Sequence, residues 1–233
     1  MRITRGMILA AGLGQRMHPI TLKTPKPLIE LGKKNLLERS IDLLINHGVK
    51  EIVINVHYLA DQIKDFVHKK NFKAKIFISD ETNLLLDTGG GILKGTSMFN
   101  KEPFVVINPD TLWDRNYFHD LKNLEKLYFK ERKPCLLVVK KNLSFDTSFK
   151  GDFNLNGQLI TKDNTNQYIF TGLQILDRSV FVPFSLEKVF SMNKVWNELI
   201  LNKNLLGIPS VKDFYHLNSK KMYDKISKLK IID

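Results

Sequence analysis

Two glycines, an arginine and a proline-flanked lysine are the residues of this chain best suited to chemistry. Gly12 and Gly14 follow the apolar run Gly6-Met7-Ile8-Leu9-Ala10-Ala11, with Arg16 just beyond. Residues without Cβ let the backbone turn sharply and expose N–H groups to an anion. An arginine at close range can fork two phosphate oxygens. Lys26 stands between Pro25 and Pro27, which stiffen the chain toward extended geometry and hold the cation in place. Together these residues read as a phosphate cradle with two cations aimed into it. A dinucleotide fingerprint requires a glycine where Met17 stands, and no Gly-Lys-Ser/Thr follows the loop, so neither a Rossmann cofactor site nor a Walker A loop is indicated.

Two further stretches carry chemistry-bearing residues. Asn108-Pro109-Asp110 follows the apolar run 104–107. A carboxylate at the C-terminal end of a parallel strand faces the ligand side of an open α/β sheet and can hold Mg²⁺. Taken alone, Asp110 reads better as a turn aspartate after a strand. Leu86-Asp87-Thr88-Gly89-Gly90-Gly91 is expected as a glycine loop before a helix, where a flat ring can approach the backbone.

These segments resemble the sugar-1-phosphate nucleotidylyltransferases, also called nucleoside-diphosphate-sugar pyrophosphorylases. The usual family form reads A-A-G-x-G-T-R, then P-x-T, then P-K-P-L. Here Gln15 replaces the threonine, and the rest stands as Pro19, Thr21 and Pro25 to Leu28. The resemblance continues through Val53 to Ile63, Leu86 to Ile92, Asn108 to Trp113 and Phe170 to Leu176, and it points to the short, single-domain branch of the family. It implies a nucleotide-diphospho-sugar transferase fold over 1–233, with a nucleotide-binding half to about residue 115 and a sugar-binding half from about 116. It implies that Ala10, Ala11, Gly12, Gly14, Thr88 and Gly89 contact the nucleotide. It implies catalytic roles for Arg16, Lys26 and Asp110, Mg²⁺ as cofactor with Asp110 as ligand, and Gly151, Thr171 and Gly172 on the sugar side. The expected substrates are a nucleoside triphosphate and a sugar 1-phosphate, with UTP and N-acetylmuramate α-1-phosphate first. A guanylyl or cytidylyl transfer to another sugar, or a non-catalytic nucleotide-sugar sensor, are the alternatives.

One departure stands out. Many relatives end on a V-D-V-G-T-like motif whose aspartate is a second metal ligand. The matching segment is Phe214-Tyr215-His216-Leu217-Asn218-Ser219, with His216 in the aspartate's place. Mg²⁺ prefers hard oxygen, and a neutral imidazole is a poor substitute. Three readings follow: Asp110 and the phosphates hold the metal without a second carboxylate, His216 binds a phosphate or a softer metal, or activity is lost.

The elements that must position these residues alternate along the chain. Strands are expected over 7–10, 51–56, 75–79, 104–108 and 135–140, and helices over 36–47, 60–69, 92–98 and 118–130. That rhythm predicts an α/β fold: a Rossmann-like, mixed, mostly parallel sheet with helices on both faces. Beyond it, Asn156-Gly157 suggests a type I′ hairpin joining 152–155 to 158–161. A strand over 167–176, a helix over 186–202, a strand over 205–209 and a helix over 219–228 complete the reading. An apolar content of 43% suits a packed core, and the net charge of +12 comes from scattered lysines rather than an arginine stripe. No nucleic-acid or membrane partner is therefore expected. The single cysteine, Cys135, falls in an apolar strand and has no intrachain partner, as expected of a cytoplasmic protein, monomeric or in a small homo-oligomer.

Overall fold

A computed structural model describes residues 1–229. The strands are β1 (Arg5–Leu9), β2 (Glu30–Leu31), β3 (Lys34–Asn35), β4 (Glu51–Val56), β5 (Lys75–Asp80), β6 (Phe104–Ile107), β7 (Cys135–Lys140), β8 (Asn154–Asn156), β9 (Leu159–Thr161), β10 (Tyr168–Leu176) and β11 (Leu206–Ser210). The α-helices are α1 (Leu36–His47), α2 (Ala60–Lys69), α3 (Asp87–Gly95), α4 (Tyr117–Glu131), α5 (Met192–Leu201) and α6 (Lys220–Ile226). Nine strands form one sheet in the order β5-β4-β1-β6-β10-β7-β11-β9-β8, while β2 and β3 make a separate hairpin. The β1, β4, β5 and β6 pairings are parallel, and β10 runs antiparallel between β6 and β7. This is the fold class expected from the sequence: mixed, mostly parallel, with helices on both faces.

Period-two alternation divides each central strand between two cores. On one face Ile8, Ile52, Ile54, Val105 and Ile107 pack under α1, α2 and α4. On the other, Met7, Val53, Phe104 and Val106 pack under α3 and α5. Helix α1 starts where the Asn35 side chain accepts from the Glu38 N–H and ends at Gly48, which is left-handed at φ 108°. Cys135 is buried in β7, where burial pushes its thiol pKa up and leaves it unreactive.

Four expected elements are corrected. The glycine run lies inside α3, not in a loop before it, and α3 ends at Gly95. The helix over 186–202 begins only at Met192, capped by the Ser191 side chain. Residues 186–191 are turn and irregular chain instead, following a 3₁₀ segment over Arg178–Phe184, and the apolar spacing of Leu186, Val189 and Phe190 mimicked helical periodicity. Asn156 pairs with Leu159, which leaves Gly157 and Gln158 as the central residues of the β8–β9 turn; Gly157 is at φ 59° while Gln158 is not left-handed, so the turn is not type I′. Lys26 starts a 3₁₀ turn, Lys26–Leu28, rather than lying in extended chain; only Pro25 before it is extended.

Candidate active site

A cleft of about 740 Å³ opens at the C-terminal ends of β1, β4 and β6. That end of an open parallel sheet is where ligands bind, because loops diverge there and leave a crevice. The loop after β1 forms its floor. Ala10 donates its N–H to the Asn55 Oδ1 at 2.8 Å, which ties the loop to β4. The Asn55 amide donates in turn to Glu81 Oε1 at 2.8 Å, and Glu81 Oε2 accepts the Leu86 N–H. This buried network sets the loop before α3 against the loop after β1. Gly14 is left-handed at φ 65°, and its carbonyl accepts from Met17 N–H and the Thr21 hydroxyl. A Cβ on Gly12 would meet nothing within 4 Å, so no protein packing requires glycine there; the free space faces the cleft. Arg16 is exposed at the rim.

The charged centre lies across β1 from that network. Lys26 Nζ is 2.6 Å from Asp110 Oδ2, and His216 Nε2 lies 3.0 Å from the same oxygen. His216 is delivered by a short pairing of 214–217 with the chain after β6. Leu217 N–H donates to the Asp110 carbonyl at 2.7 Å, Leu112 N–H donates to the Tyr215 carbonyl at 2.8 Å, and Thr111 pairs antiparallel with His216. The His216 ring stacks on Phe149 with centroids 5.7 Å apart. Burial pushes the Asp110 carboxyl up, but His216 and Lys26 outweigh it and hold it well below the usual carboxylate range. Asp110 is therefore ionised. Its second oxygen, Oδ1, is buried with no hydrogen-bond partner. An unclaimed hard oxygen beside a phosphate loop fits a divalent cation. The donor set is otherwise thin: among the described residues no three His, Cys, Asp or Glu side chains converge to hold a metal.

The structure brings Ala10, Ala11, Gly12, Gly14, Arg16, Lys26, Thr88 and Asp110 to this one cleft. Four expected residues lie elsewhere. Gly89 is buried, with its N–H committed to the Phe190 carbonyl at 2.9 Å. Thr171 is 1% exposed and its hydroxyl donates to the Leu137 carbonyl, so it does not reach the cleft. Gly151 and Gly172 take φ of 87° and 93°, and a Cβ would sit 2.4 Å from the Asn166 oxygen or 2.9 Å from the Asn108 Cβ. Both glycines serve approaches of chain to chain. Sequence reasoning missed Asn55, Leu85, Asp87, Asn108, Val189 and Asn218, which also line the cleft. Asn55 had a signal: a polar residue in the otherwise apolar end of a strand, Val53-Ile54-Asn55-Val56.

Fold and site thus define an α/β protein with a glycine loop after its first strand and a lysine–carboxylate pair in the same cleft. The nucleotidyl transferase family model matches residues 5–142. N-acetylmuramate alpha-1-phosphate uridylyltransferase of Caulobacter vibrioides is 30% identical over 210 residues, 87% of this chain and 86% of that protein. D-glycero-alpha-D-manno-heptose 1-phosphate guanylyltransferase of Campylobacter jejuni is 29% identical over 227 residues, 91% of this chain and 97% of that protein. A crystal structure of UDP-glucose pyrophosphorylase complexed with UDP-glucose shares the fold, with a TM-score of 0.79 at 19% identity over 97% of both chains. The chain belongs to the nucleotidyl transferase family, among its sugar-1-phosphate nucleotidyltransferase enzymes.

Proposed function

We propose that this enzyme transfers the uridylyl group of UTP to N-acetylmuramate α-1-phosphate, releasing pyrophosphate. The observation that carries nucleotidyl transfer is the 2.6 Å Lys26–Asp110 pair at the mouth of the glycine loop. The uracil and sugar choice rests on the likeness to the Caulobacter enzyme across most of both chains. The likeness to the Campylobacter guanylyltransferase supports GTP and a heptose 1-phosphate as the second reading. A sugar 1-phosphate oxygen forms a bond to the α-phosphorus, and the bond from that phosphorus to the β-phosphate oxygen breaks with its electron pair. The attacking phosphate is already ionised near neutral pH, its second pKa being about 6, so no general base is required. Catalysis reduces to holding two anions in line and neutralising the charge that develops. Arg16 grips the leaving pyrophosphate, and Lys26 bridges the α-phosphate and the acceptor phosphate. Asp110, whose Oδ1 has no protein partner, would hold Mg²⁺, and the ion would supply charge neutralisation at the phosphates. In this reading the residues to about 115 bind nucleotide, those beyond hold the sugar, and the single domain works in the cytoplasm.

Pyrophosphate release measured with four nucleoside triphosphates against a panel of sugar 1-phosphates tests the proposal. UTP with N-acetylmuramate α-1-phosphate should give the highest kcat/KM by at least about tenfold. A higher value for GTP with a heptose 1-phosphate would replace it with the second reading.

A further inference from the structure

The cleft is built almost wholly from residues before 115; among its lining residues only Val189 and Asn218 come from further on. Asn218 is beside His216. Val189 is at the opposite end, and the chain holds it there by an unusual device. Residues 186–191 lie across the first turn of α3 as a strap. The Phe190 carbonyl accepts the N–H groups of both Gly89 and Gly90, at 2.9 and 3.1 Å. Phe190 N–H donates to the Leu86 carbonyl at 3.3 Å, and Met192 N–H donates to the Thr88 hydroxyl at 2.8 Å. The Phe190 ring is buried and stacks on Phe184 at 5.5 Å. The glycine run makes this contact possible. A Cβ on Gly90 would lie 2.2 Å from the Lys188 carbonyl oxygen, and one on Gly89 would lie 2.4 Å from the Phe190 ring. Three successive glycines weaken a helix, at roughly 1 kcal/mol each relative to alanine. Here Gly89 and Gly90 let a second stretch of backbone lie directly on it, while Gly91 faces Asn55 and Glu81.

The strap fixes the residues on both sides of Val189 and leaves its side chain 50% exposed in the cleft wall. The surroundings say what it faces. Helix α3 packs against β1, β4 and β5, whereas Asp110 and Lys26 stand beyond β6 on the other side of β1. The α3 end of the cleft therefore lies away from the Lys26–Asp110 pair. Leu85 and Val189 are its apolar lining, and Asp87 and Thr88 are its polar lining. Apolar walls with a few fixed polar groups suit a flat heteroaromatic ring rather than a phosphate or a polyol. We infer that Val189, seated by the glycine-docked strap, contacts the nucleotide base and is a specificity-determining residue contributed by the half of the chain that otherwise serves the sugar. This rests on the reading of the cleft as a nucleoside triphosphate site.

Calorimetric titration with UTP, GTP and inorganic tripolyphosphate separates base from phosphate contacts. A half-exposed valine tolerates substitution, and Val189→Asp and Val189→Ala should melt within about 2 °C of the wild type. Val189→Asp should raise the Kd for the preferred nucleotide about tenfold or more, since it sets a charge against an apolar ring face. Val189→Ala should raise it about threefold, as expected for two methyl groups only partly covered. Tripolyphosphate affinity should change less than twofold in both. Wild-type nucleotide affinity in Val189→Asp would overturn the inference, as would an equal loss of nucleotide and tripolyphosphate. The base is judged by which nucleotide the wild type prefers, and Val189 by the variant-to-wild-type ratio for that nucleotide, so either reading can fall alone. Wild-type binding of tripolyphosphate with none of either nucleotide would sink both.

Discussion

Replacing His216 by aspartate sets a second carboxylate beside Asp110 and tests the geometry of the charged centre. His216 Nε2 is 3.0 Å from Asp110 Oδ2, so a shorter aspartate there would place two like charges about 4 Å apart. At an effective dielectric constant of about 20, that repulsion is on the order of 4 kcal/mol. Lys26, 2.6 Å from the same oxygen, offsets much of it, and one carboxyl can take up a proton to relieve the rest. The stack of His216 on Phe149 is lost as well. A net destabilisation of about 1–3 kcal/mol in metal-free buffer follows. For a chain of this length each kcal/mol moves Tm by about 2–4 °C, so Tm should fall by roughly 2–12 °C. Metal should reverse the loss. Two carboxylates with a Kd on the order of 10⁻⁴ M, the weak end for oxygen-ligand sites, gain about 2.7 kcal/mol in 10 mM Mg²⁺, or roughly 5–10 °C. The wild type offers only Asp110 Oδ1, and its Tm should rise by no more than about 2 °C. Melting curves with EDTA and with Mg²⁺ read both numbers. A variant whose lower Tm is not restored by Mg²⁺ would refute the reading of His216 as the occupant of a second carboxylate ligand's position. Loss of UTP affinity at saturating Mg²⁺ would instead make His216 a phosphate contact.

Two more outcomes are open to direct measurement. Lys26→Ala should lower kcat by about 10²–10³, as for removal of one preorganised charge donor. It should cost only about 1–2 kcal/mol in stability, because the ion pair it breaks is partly exposed, and near-wild-type turnover would remove Lys26 from the mechanism. His47 is buried at the end of α1, 3.2 Å from Glu125, and burial lowers its pKa more than Glu125 raises it. The unfolded state therefore binds the proton first, so stability is full above the unfolded pKa of about 6.5 and falls as pH drops through it. Chemical denaturation from pH 8 to 5 should show that slope, flattened in His47→Gln; an unchanged slope in the variant would assign it to other groups.

Much of this protein was legible in the order of its residues. The alternation of apolar strands with capped helices announced the α/β sheet, because side-chain periodicity and helix-end residues are local properties. Gly12, Gly14, Arg16, Lys26 and Asp110 were legible too, since a loop after a buried strand must open at the sheet's C-terminal edge. What local pattern could not supply was which distant segments meet. Lys26 and Asp110 are 84 residues apart and touch because β1 and β6 are neighbours in the sheet. His216 reaches them through the pairing of its segment with Thr111 on one side and Ser144 on the other. Likewise, three glycines argue locally against a helix, yet Gly89 to Gly91 are helical: the strap lies on backbone at Gly89 and Gly90, and the Asn55 and Glu81 side chains close on Gly91. Gly151, Thr171 and Gly172 looked like ligand contacts and are instead spent on other parts of the chain. The sequence determined the types of element and the chemistry of each loop, which depend on near neighbours. The tertiary structure decided which of those groups share one cleft, because that depends on strand order and on contacts whose partners lie far along the chain.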